Sequence, residues 1–382
     1  MDFSFPKEVL EYRERVRKFV STRVDPRAQE IEESGKMPEE ILAGARELGL
    51  FGLSIPKEYG GAGIGMVGKC AIYEEVGKTS NAFTTVVGGH TGIGSVGIVE
   101  LGNEEQKKRY LPPMARGELI GAFALTEPEA GTDASNVKTT AVRKGDKFVL
   151  NGHKRYITNG PIAALVTVMA VTDPKAGPRG ITAFIVERDF PGFRVGKTDR
   201  KMGLHGSHSS ELFFEDCEVP VQNVLGEEGR GYASALKILT NGRAGLAARN
   251  LGSCVKLLEM SMKHATTREQ FGGPIFEQQA IQHYLAEMAL EIEALRSLTY
   301  RVAWMVDEGM NVVKEAAIAK LFGSEVYGRV VDRAVQIHGG QGYMLEGQVE
   351  RYYRDARIAR IYEGTSETQK NIIAARLERE LS

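Results

Sequence analysis

Residues 351–370, RYYRDARIARIYEGTSETQK, place a single carboxylate between two helical patterns. A basic helical run precedes Glu363, and Gly364 follows it directly. Thr365, or the serine after it, is a typical N-cap for a helix that continues through Glu367. The pattern predicts a short turn in which Glu363 lies beside a glycine, so that another backbone or a ligand can approach closely.

Glu363 has two interpretations. A carboxylate held among apolar neighbours has its charged form disfavoured, and a general base uses that property. The adjacent pair Ile361 and Tyr362 predicts such neighbours. The alternative is an ordinary solvated glutamate in a turn between helices, and the local stretch alone does not decide between them.

Length and composition bound the fold class. A chain of 382 residues is long for one hydrophobic core and predicts two or three packed subdomains. An apolar content of 42% and a charged content of 26% are typical of a soluble globular protein. The formal net charge of −1 offers no overall basic field, so no nucleic-acid partner is expected.

The cysteines and the N-terminal residues indicate a compartment. Cys70, Cys217 and Cys254 are widely spaced and odd in number, which suits a reducing environment. The opening MDFSFPKEVLEYRERV is an amphipathic helical pattern rather than a signal peptide. No stretch is expected to approach the ~20 apolar residues of a membrane helix. A cytoplasmic prokaryotic protein is expected, with a mitochondrial protein cut to its mature form as the alternative.

The hydrophobic periodicity changes twice along the chain and predicts three regions. Residues 1–118 carry apolar side chains at helical spacing, and residues 229–382 return to that spacing in two long stripes. Between them, residues 119–228 contain short β-branched or aromatic runs separated by turns. The prediction is a multi-domain α+β protein: an N-terminal α-helical domain, a middle antiparallel β domain and a C-terminal four-helix bundle.

Three local patterns have plainer alternatives. Gly63–Gly68 matches G-x-G-x-x-G, but no clear strand precedes it, so a dinucleotide site there is a weak interpretation. Residues 86–101, VVGGHTGIGSVGIVEL, hold glycines that each weaken a helix by roughly 1 kcal/mol, which indicates either tight helix packing or room for a ligand chain. His205 and His208 lack the carboxylate or cysteine partners of a metal site, so no metal is expected.

Five motifs stand in a fixed order. They are Leu125–Asp133 (LTEPEAGTD), Lys154–Gly160 (KRYITNG), Thr267–Gly272 (TREQFG), Gln336–Gly340 (QIHGG) and Tyr362–Thr365 (YEGT). In this order and spacing they resemble the acyl-CoA dehydrogenase family of flavoproteins, and the resemblance covers essentially the whole chain. It implies the three-domain fold of that family and favours the catalytic interpretation of Glu363.

The resemblance implies a reaction. Family members remove a proton from Cα and a hydride from Cβ of an acyl-CoA thioester and leave a trans-2-enoyl-CoA. Glu363 matches the family's base, and its backbone N–H would bind the thioester oxygen together with a flavin ribityl hydroxyl. No side chain accepts a hydride, so a cofactor must, and the family uses N5 of FAD. Electrons would then pass to electron-transferring flavoprotein.

The resemblance also implies the binding residues. The residues matched to FAD binding are Phe123, Leu125, Thr126, Tyr156, Thr158, Arg268, Phe271, Gln278, Gln336, Gly340, Thr365 and Glu367. Some of them would act from the neighbouring subunit of a homotetramer, a dimer of dimers. The residues matched to acyl-CoA binding are Thr132, Asn241, Arg243, Tyr362 and Gly364. Thr126 as an N-cap and Tyr156 as a core residue are the structural alternatives.

Two positions depart from family patterns. Some branches carry the base immediately before the arginine that matches Arg243, and here that position is Gly242, so Glu363 has no visible rival. Many members have an acidic residue near Thr240 that contacts CoA, and its absence here leaves that contact open.

The acyl group is less well determined. Small residues from Gly88 to Gly97 would line the end of the acyl channel and imply a deep slot, so a medium-to-long straight chain is expected. A short- or branched-chain enzyme is the alternative. An acyl-CoA oxidase would have a longer chain, a non-catalytic DNA-associated member would have a strongly basic surface, and a plain helical scaffold would leave Glu363 without a role.

Overall fold

The chain folds as helices, then a sheet, then helices, in a computed structural model that describes residues 4–381. The first region holds α1 (Lys7–Phe19), α2 (Ala28–Ser34), α3 (Glu39–Glu47), α4 (Gly65–Val76), α5 (Asn81–Gly89), α6 (Val96–Leu101) and α7 (Glu104–Ala115). A π-helical turn, His90–Gly94, joins α5 to α6. The helical prediction for the first part of the chain is confirmed.

The middle region is one seven-stranded sheet. Its strands are β1 (Gly121–Ala124), β2 (Thr140–Lys144), β3 (Lys147–Thr158), β4 (Leu165–Val171), β5 (Ile181–Glu187), β6 (Phe193–Thr198) and β7 (Ser209–Pro220). Most pairings are antiparallel, but β1 runs parallel to β4, and β2 meets β4 in the same sense. The sheet is therefore mixed rather than purely antiparallel. A tight hairpin would force neighbouring strands to run in opposite directions, but the long connection from β1 to β2 does not.

The β4 strand shows why its sequence is continuously apolar. Successive side chains of a strand point to opposite faces. Leu165 and Met169 pack in a buried cluster with helices of the first region, whereas Val166 and Val168 pack in the cluster on the other face of the sheet. Burial on both faces removes the polar alternation of a half-exposed strand.

Helices return after the sheet. They are α8 (Gly231–Thr267), α9 (Gln279–Asp307), α10 (Val313–His338), α11 (Gly340–Tyr343), α12 (Val349–Ala356) and α13 (Ser366–Leu381), with a short hairpin of β8 (Glu269–Gln270) and β9 (Gly273–Pro274) between α8 and α9. The long helices α8, α9, α10 and α13 form the predicted bundle. On α9, Leu285, Met288 and Ile292 recur at helical spacing and are buried, as predicted.

The first helical region and the bundle share one hydrophobic core. Phe83 of α5 and Leu251 of α8 belong to the same buried cluster. On α4, buried Glu74 accepts a hydrogen bond from the Tyr300 hydroxyl over 2.7 Å and pairs with Arg296 at 3.2 Å, which ties α4 to α9. Because the core is continuous, the domain boundaries at 118/119 and 228/229 stay predictions.

The Gly63–Gly68 motif has a structural use at the start of α4. The backbone N–H groups of Met66 and Val67 donate to the Asp307 carboxylate over 2.6 and 2.9 Å. The helix N-terminal amides that would bind a phosphate therefore already hold a carboxylate. The weak dinucleotide interpretation gains no support from this geometry.

Among the described residues, Asn81–Leu101 is long and apolar enough to cross a membrane by length and composition, with a mean hydropathy of 1.2. This corrects the expectation that no stretch approaches that length. However, 78% of its most apolar 18-residue window is buried inside the protein, where α5, the π-helical turn and α6 pack against the sheet and α8. The burial favours a core segment, and the same segment forms one wall of the site described next.

Candidate active site

Glu363 lies in the turn between the 3₁₀ helix Arg357–Arg360 and α13, as predicted. Its φ of +54° falls in the left-handed region, which a non-glycine residue adopts only where its surroundings hold it. Gln369 Nε2 donates to the carbonyl oxygens of Glu363 and Gly364, each over 3.1 Å. Lys320 Nζ donates to the Gly364 carbonyl over 2.6 Å. These bonds to the backbone fix the turn.

Thr365 is the N-cap of α13, because its hydroxyl accepts a hydrogen bond from the Thr368 backbone N–H over 3.2 Å. Glu367 in the first helical turn is exposed, and a hydrogen bond from its own backbone N–H lowers its pKa. A helix N-terminus attracts anions. The contact of Thr365 and Glu367 with a pyrophosphate stays a prediction.

The Glu363 carboxylate is largely buried and lies close to the backbone of Gly242. Its side chain is 12% exposed, and Oε1 lies 3.6 Å from Nη2 of Arg249. Its Oε2 is buried and has no hydrogen-bond partner among the described residues. A Cβ added to Gly242 would lie 3.0 Å from Oε2, whereas one added to Gly92 would meet nothing within 4 Å. A carboxylate oxygen without a hydrogen-bond partner is free to take a proton, as a general base must.

The surroundings of Glu363 are basic rather than apolar, which corrects the prediction. Burial lowers the pKa of Arg243 on α8, and the charge of Glu363 opposes this effect. Burial also lowers the pKa of Lys320 to about 8, again opposed by Glu363. Arg249 adds a third cation, while Ile361, the expected apolar neighbour, is 46% exposed. The sequence misled because these cations come from α8 and α10, far from the turn along the chain.

A buried ion pair shapes the segment after β1. Lys154 Nζ lies 2.7 Å from Glu127 Oε1, and the two side chains are 0% and 3% exposed. Lys154 also donates to the Leu125 carbonyl over 3.1 Å, and Thr139 donates its N–H and hydroxyl to Glu127 over 3.0 and 2.6 Å. Since a buried charge needs a partner, this pair holds the segment in place. Both residues stand within the quoted motifs, but sequence reasoning assigned a role to neither.

The predicted flavin-facing residues form one surface around the ends of β1 and β3. Phe123 and Leu125 are each 8% exposed, whereas Tyr156 is 57% exposed with a φ of +60°. The hydroxyls of Thr126 and Thr158 have no hydrogen-bond partner among the described residues. The exposure of Tyr156 rules out its alternative as a core residue. An exposed aromatic ring and two unpaired hydroxyls at neighbouring strand ends fit a planar ring system with polar edge atoms, so these residues fit the isoalloxazine of FAD.

Helix α5 joins this surface to the base. The Asn159 side chain, at the end of β3, donates to the Val86 carbonyl of α5 over 3.0 Å. A Cβ added to Gly89 would meet Thr158. A Cβ added to its neighbour Gly88 would meet Arg249, the residue beside Glu363. The flavin-facing end of the sheet and the base therefore lie on the two sides of one helix.

A second set of predicted FAD residues lies at the far end of the bundle. Its members are exposed in the single chain: Arg268, Phe271, Gln278, Gln336 and Gly340. Phe271 is 95% exposed, and stacking of His264 on His338 at 4.4 Å brings the two loops that carry these residues together. At about 1.5 Å per helical residue, Arg268 lies roughly 37 Å from Arg243 along α8. One chain cannot bring this set to its own Glu363.

The predicted acyl-CoA residues are spread around the turn. Thr132 is exposed in the loop after β1, and Gly364 is part of the turn itself. Asn241 is half-buried and lines a cavity of about 350 Å³ together with Lys69 and Glu100. Tyr362 is half-buried next to the base in the same turn. Sequence reasoning missed Lys69 on α4 and Arg249 on α8, because each looks like a solvated helical residue until the helices pack.

Comparisons with known proteins agree with this arrangement. The family models for the N-terminal, middle and C-terminal domains of acyl-CoA dehydrogenase match residues 6–118, 122–217 and 229–378. An acyl-CoA dehydrogenase of Bacillus subtilis is 43% identical over 96% of this chain and 97% of its own length. A short-chain-specific acyl-CoA dehydrogenase of Clostridium acetobutylicum is 41% identical over 99% of this chain and 100% of its own.

Solved structures are similarly close. The butyryl-CoA dehydrogenase of Megasphaera elsdenii superposes with a TM-score of 0.96 at 38% identity, covering 99% of this chain and 100% of that one. A chain from the structure described as the electron transferring flavoprotein of Acidaminococcus fermentans gives 0.97 at 41% identity, covering 99% and 100%. An acyl-CoA dehydrogenase of Bacillus anthracis complexed with FAD gives 0.92 at 38% identity, covering 99% and 68%. Matched along its length and in fold, this chain belongs to the acyl-CoA dehydrogenase family of FAD-dependent oxidoreductases.

Proposed function

We propose that this protein dehydrogenates an acyl-CoA thioester between Cα and Cβ to give a trans-2-enoyl-CoA, with Glu363 as the base. The observation that carries the proposal is the Glu363 carboxylate, 12% exposed, with a buried and unpaired Oε2 beside Gly242. A solvated turn glutamate would be exposed and free to turn into water. This side chain is instead largely buried, on a backbone held in the left-handed region.

The turn also supplies a donor for the thioester oxygen. The backbone N–H of Glu363 makes no hydrogen bond among the described residues, although the backbone N–H groups of Ile361 and Tyr362 both donate to Ile358. An N–H that points at developing enolate charge stabilises the transition state. Glu363 would thus hold the thioester through its backbone while its side chain takes the α-proton. FAD, when bound, supplies the acceptor for the β-hydride.

The acyl group is better described as short than as medium-to-long. The expectation of a deep slot rests on small residues from Gly88 onward, but the space beside Gly88 is filled by Arg249, whose Nη1 would lie 1.7 Å from an added Cβ. A buried guanidinium at that point is a poor neighbour for a long apolar chain. The short-chain alternative agrees with the names of two of the relatives.

Partners and assembly follow from the same proposal. The similarity to a chain from a structure described as an electron transferring flavoprotein supports that protein as the electron acceptor. A homotetramer, as a dimer of dimers, would bring the exposed residues around Arg268 and Gln336 to a neighbour's FAD. A cytoplasmic location in a prokaryote stays part of the proposal.

The test uses anaerobic flavin bleaching of the purified holoenzyme. We expect short acyl-CoA esters to bleach the wild-type flavin, and Glu363→Gln to keep FAD while bleaching at least ~1,000-fold more slowly, since no carboxylate can take the proton. Glu105→Gln, the same change at an exposed residue of α7, should behave as wild type. Bleaching by Glu363→Gln at the wild-type rate would place the base elsewhere. Rapid recolouring in air would indicate an oxidase instead.

A further inference from the structure

Two buried cations lie beside the base. Arg249 on α8 is 9% exposed, and Lys69 on α4 is 4% exposed. Both lie against Tyr73, because the guanidinium carbon and the ammonium nitrogen are each 5.5 Å from its ring centroid. The Tyr73 hydroxyl is hydrogen-bonded to the Thr91 hydroxyl over 2.5 Å. The two cations therefore lie against one aromatic ring, and Arg249 is also paired with Glu363.

Neither cation has its hydrogen-bonding capacity filled. Arg249 Nη1 donates to the Thr84 carbonyl over 3.4 Å, its Nη2 is 3.6 Å from Glu363, and its buried Nε has no partner among the described residues. Lys69 Nζ donates to the Thr91 carbonyl over 3.1 Å. A guanidinium offers about five N–H donors and an ammonium about three. Buried charges with open donors are costly until an anion pairs with them.

The nearby carboxylates do not balance these charges. Lys69 interacts with Glu100 of α6, but Glu100 is paired with Lys237 at 2.8 Å. Asp307 of α9 lines the cavity of about 350 Å³ that Lys69 also lines, but its oxygens accept hydrogen bonds from the first backbone N–H groups of α4. Buried Asp355 lines a small cavity with Arg249, but its Oδ1 accepts a hydrogen bond from the Leu204 backbone N–H. Among the described carboxylates, Glu363 pairs with Arg249 and also interacts with Lys69, and as the base it must be free to take a proton.

The position of Arg249 allows a short ligand to reach it. Gly88 makes room for the guanidinium, since an added Cβ would lie 1.7 Å from Nη1 and 2.6 Å from Cζ. A reacting Cα lies about 3–3.5 Å from its base, and a charged hydrogen bond spans about 2.8 Å. Because Arg249 is 3.6 Å from the base, an anionic group roughly two or three bonds beyond Cα would reach it.

We propose that Arg249, assisted by Lys69, binds a carboxylate at the distal end of the acyl group, so that the substrate class is the CoA thioester of a short dicarboxylic acid. This inference rests on the proposed dehydrogenation. When the substrate binds, the guanidinium leaves Glu363 and donates two hydrogen bonds to the substrate carboxylate. Glu363 then faces Cα. The α-proton goes to Glu363, the β-hydride goes to FAD, the Cα–Cβ double bond forms, and the distal carboxylate is unchanged.

The test compares esters of equal carbon number with and without the carboxylate. For the holoenzyme, kcat/KM should be higher for glutaryl-CoA than for pentanoyl-CoA, and higher for succinyl-CoA than for butyryl-CoA. Arg249→Gln should lower kcat/KM for the preferred dicarboxylic ester by about 30- to 1,000-fold, the loss expected when a buried charge pair loses one partner. In the same variant, kcat/KM for glutaryl-CoA should no longer exceed that for pentanoyl-CoA. Arg230→Gln, at an exposed arginine just before α8, should change neither value.

A binding measurement separates recognition from chemistry and from misfolding. In the Glu363→Gln background, calorimetric titration should give a lower Kd for glutaryl-CoA than for pentanoyl-CoA, and adding Arg249→Gln should remove the difference. Arg249→Lys, which keeps the charge without the fork, should restore part of it. If the neutral esters bind and react at least as well as the dicarboxylic ones, the carboxylate site is refuted while dehydrogenation stands. If no ester of either kind bleaches the flavin, the proposed function itself is refuted.

Discussion

Gly88→Ala tests whether position 88 needs a small residue because the Arg249 guanidinium packs against it. The added Cβ would lie 1.7 Å from Arg249 Nη1 and 2.6 Å from its Cζ. The contacted atoms are the far end of a flexible side chain, so the expected response is displacement of the guanidinium from Thr84 and Glu363 rather than movement of backbone. Gly92→Ala is a matched control on the same helical segment, because its Cβ would meet nothing within 4 Å.

The magnitude follows from two opposing effects. Replacing glycine by alanine in a helix stabilises by about 1 kcal/mol in either variant. Gly88→Ala alone also overpacks its surroundings, at about 1–3 kcal/mol. An unfolding entropy of about 2.1 cal/mol/K per residue amounts to roughly 0.8 kcal/mol/K for 382 residues. Gly88→Ala should therefore melt roughly 1–4 °C below Gly92→Ala.

The assay is differential scanning calorimetry of the FAD-loaded variants, repeated in an Arg249→Ala background. Truncating Arg249 removes the atoms that the new methyl group would meet, so the gap in Tm between the two glycine variants should close. This double-mutant cycle isolates the contact from general effects of glycine replacement. A difference in Tm that persists in the Arg249→Ala background would show that Gly88 serves backbone packing instead, and the reasoning about the guanidinium would fail.

Two further predictions concern buried charges. Lys154→Met leaves the Glu127 carboxylate buried without its cation, so it should lower the free energy of unfolding by about 3–5 kcal/mol. Lys154→Met combined with Glu127→Gln should lower the free energy of unfolding by less. Denaturant unfolding measures both, and a double variant less stable than the single one would contradict the pairing. Burial lowers the pKa of Lys69 to about 8, below its ordinary 10.5. Between these two pH values the unfolded chain binds more protons at Lys69 than the folded chain does. Lys69 therefore makes the free energy of unfolding rise as pH increases from about 8 to 10.5. Tm measured against pH should therefore rise less over that window in Lys69→Met than in wild type, and an identical pH dependence in the two proteins would sink the assignment.

Local sequence was enough for the order of elements and for the turn that carries the base. Apolar spacing predicted the helices at both ends of the chain, and β-branched runs predicted strands such as β4 and β5, because these patterns repeat within one element. The N-cap at Thr365 and the turn at Glu363 were also predicted, since a cap is satisfied by residues three positions away. The parallel pairing of β1 with β4 was not predicted, because pairing depends on partners distant in sequence.

The surroundings of the base were decided by tertiary structure alone. Lys69, Arg249 and Glu363 come from α4, α8 and the turn before α13, and each alone is typical of a solvated surface residue. The glycines of α5 likewise suggest an empty slot until α8 places a guanidinium beside one of them. Charge acts through space and is weakened by water, so its effect on a site depends on which helices pack together and how far they exclude solvent. The sequence by itself determined where a base would stand, and the packing of α4, α5 and α8 decided which charges that base would face.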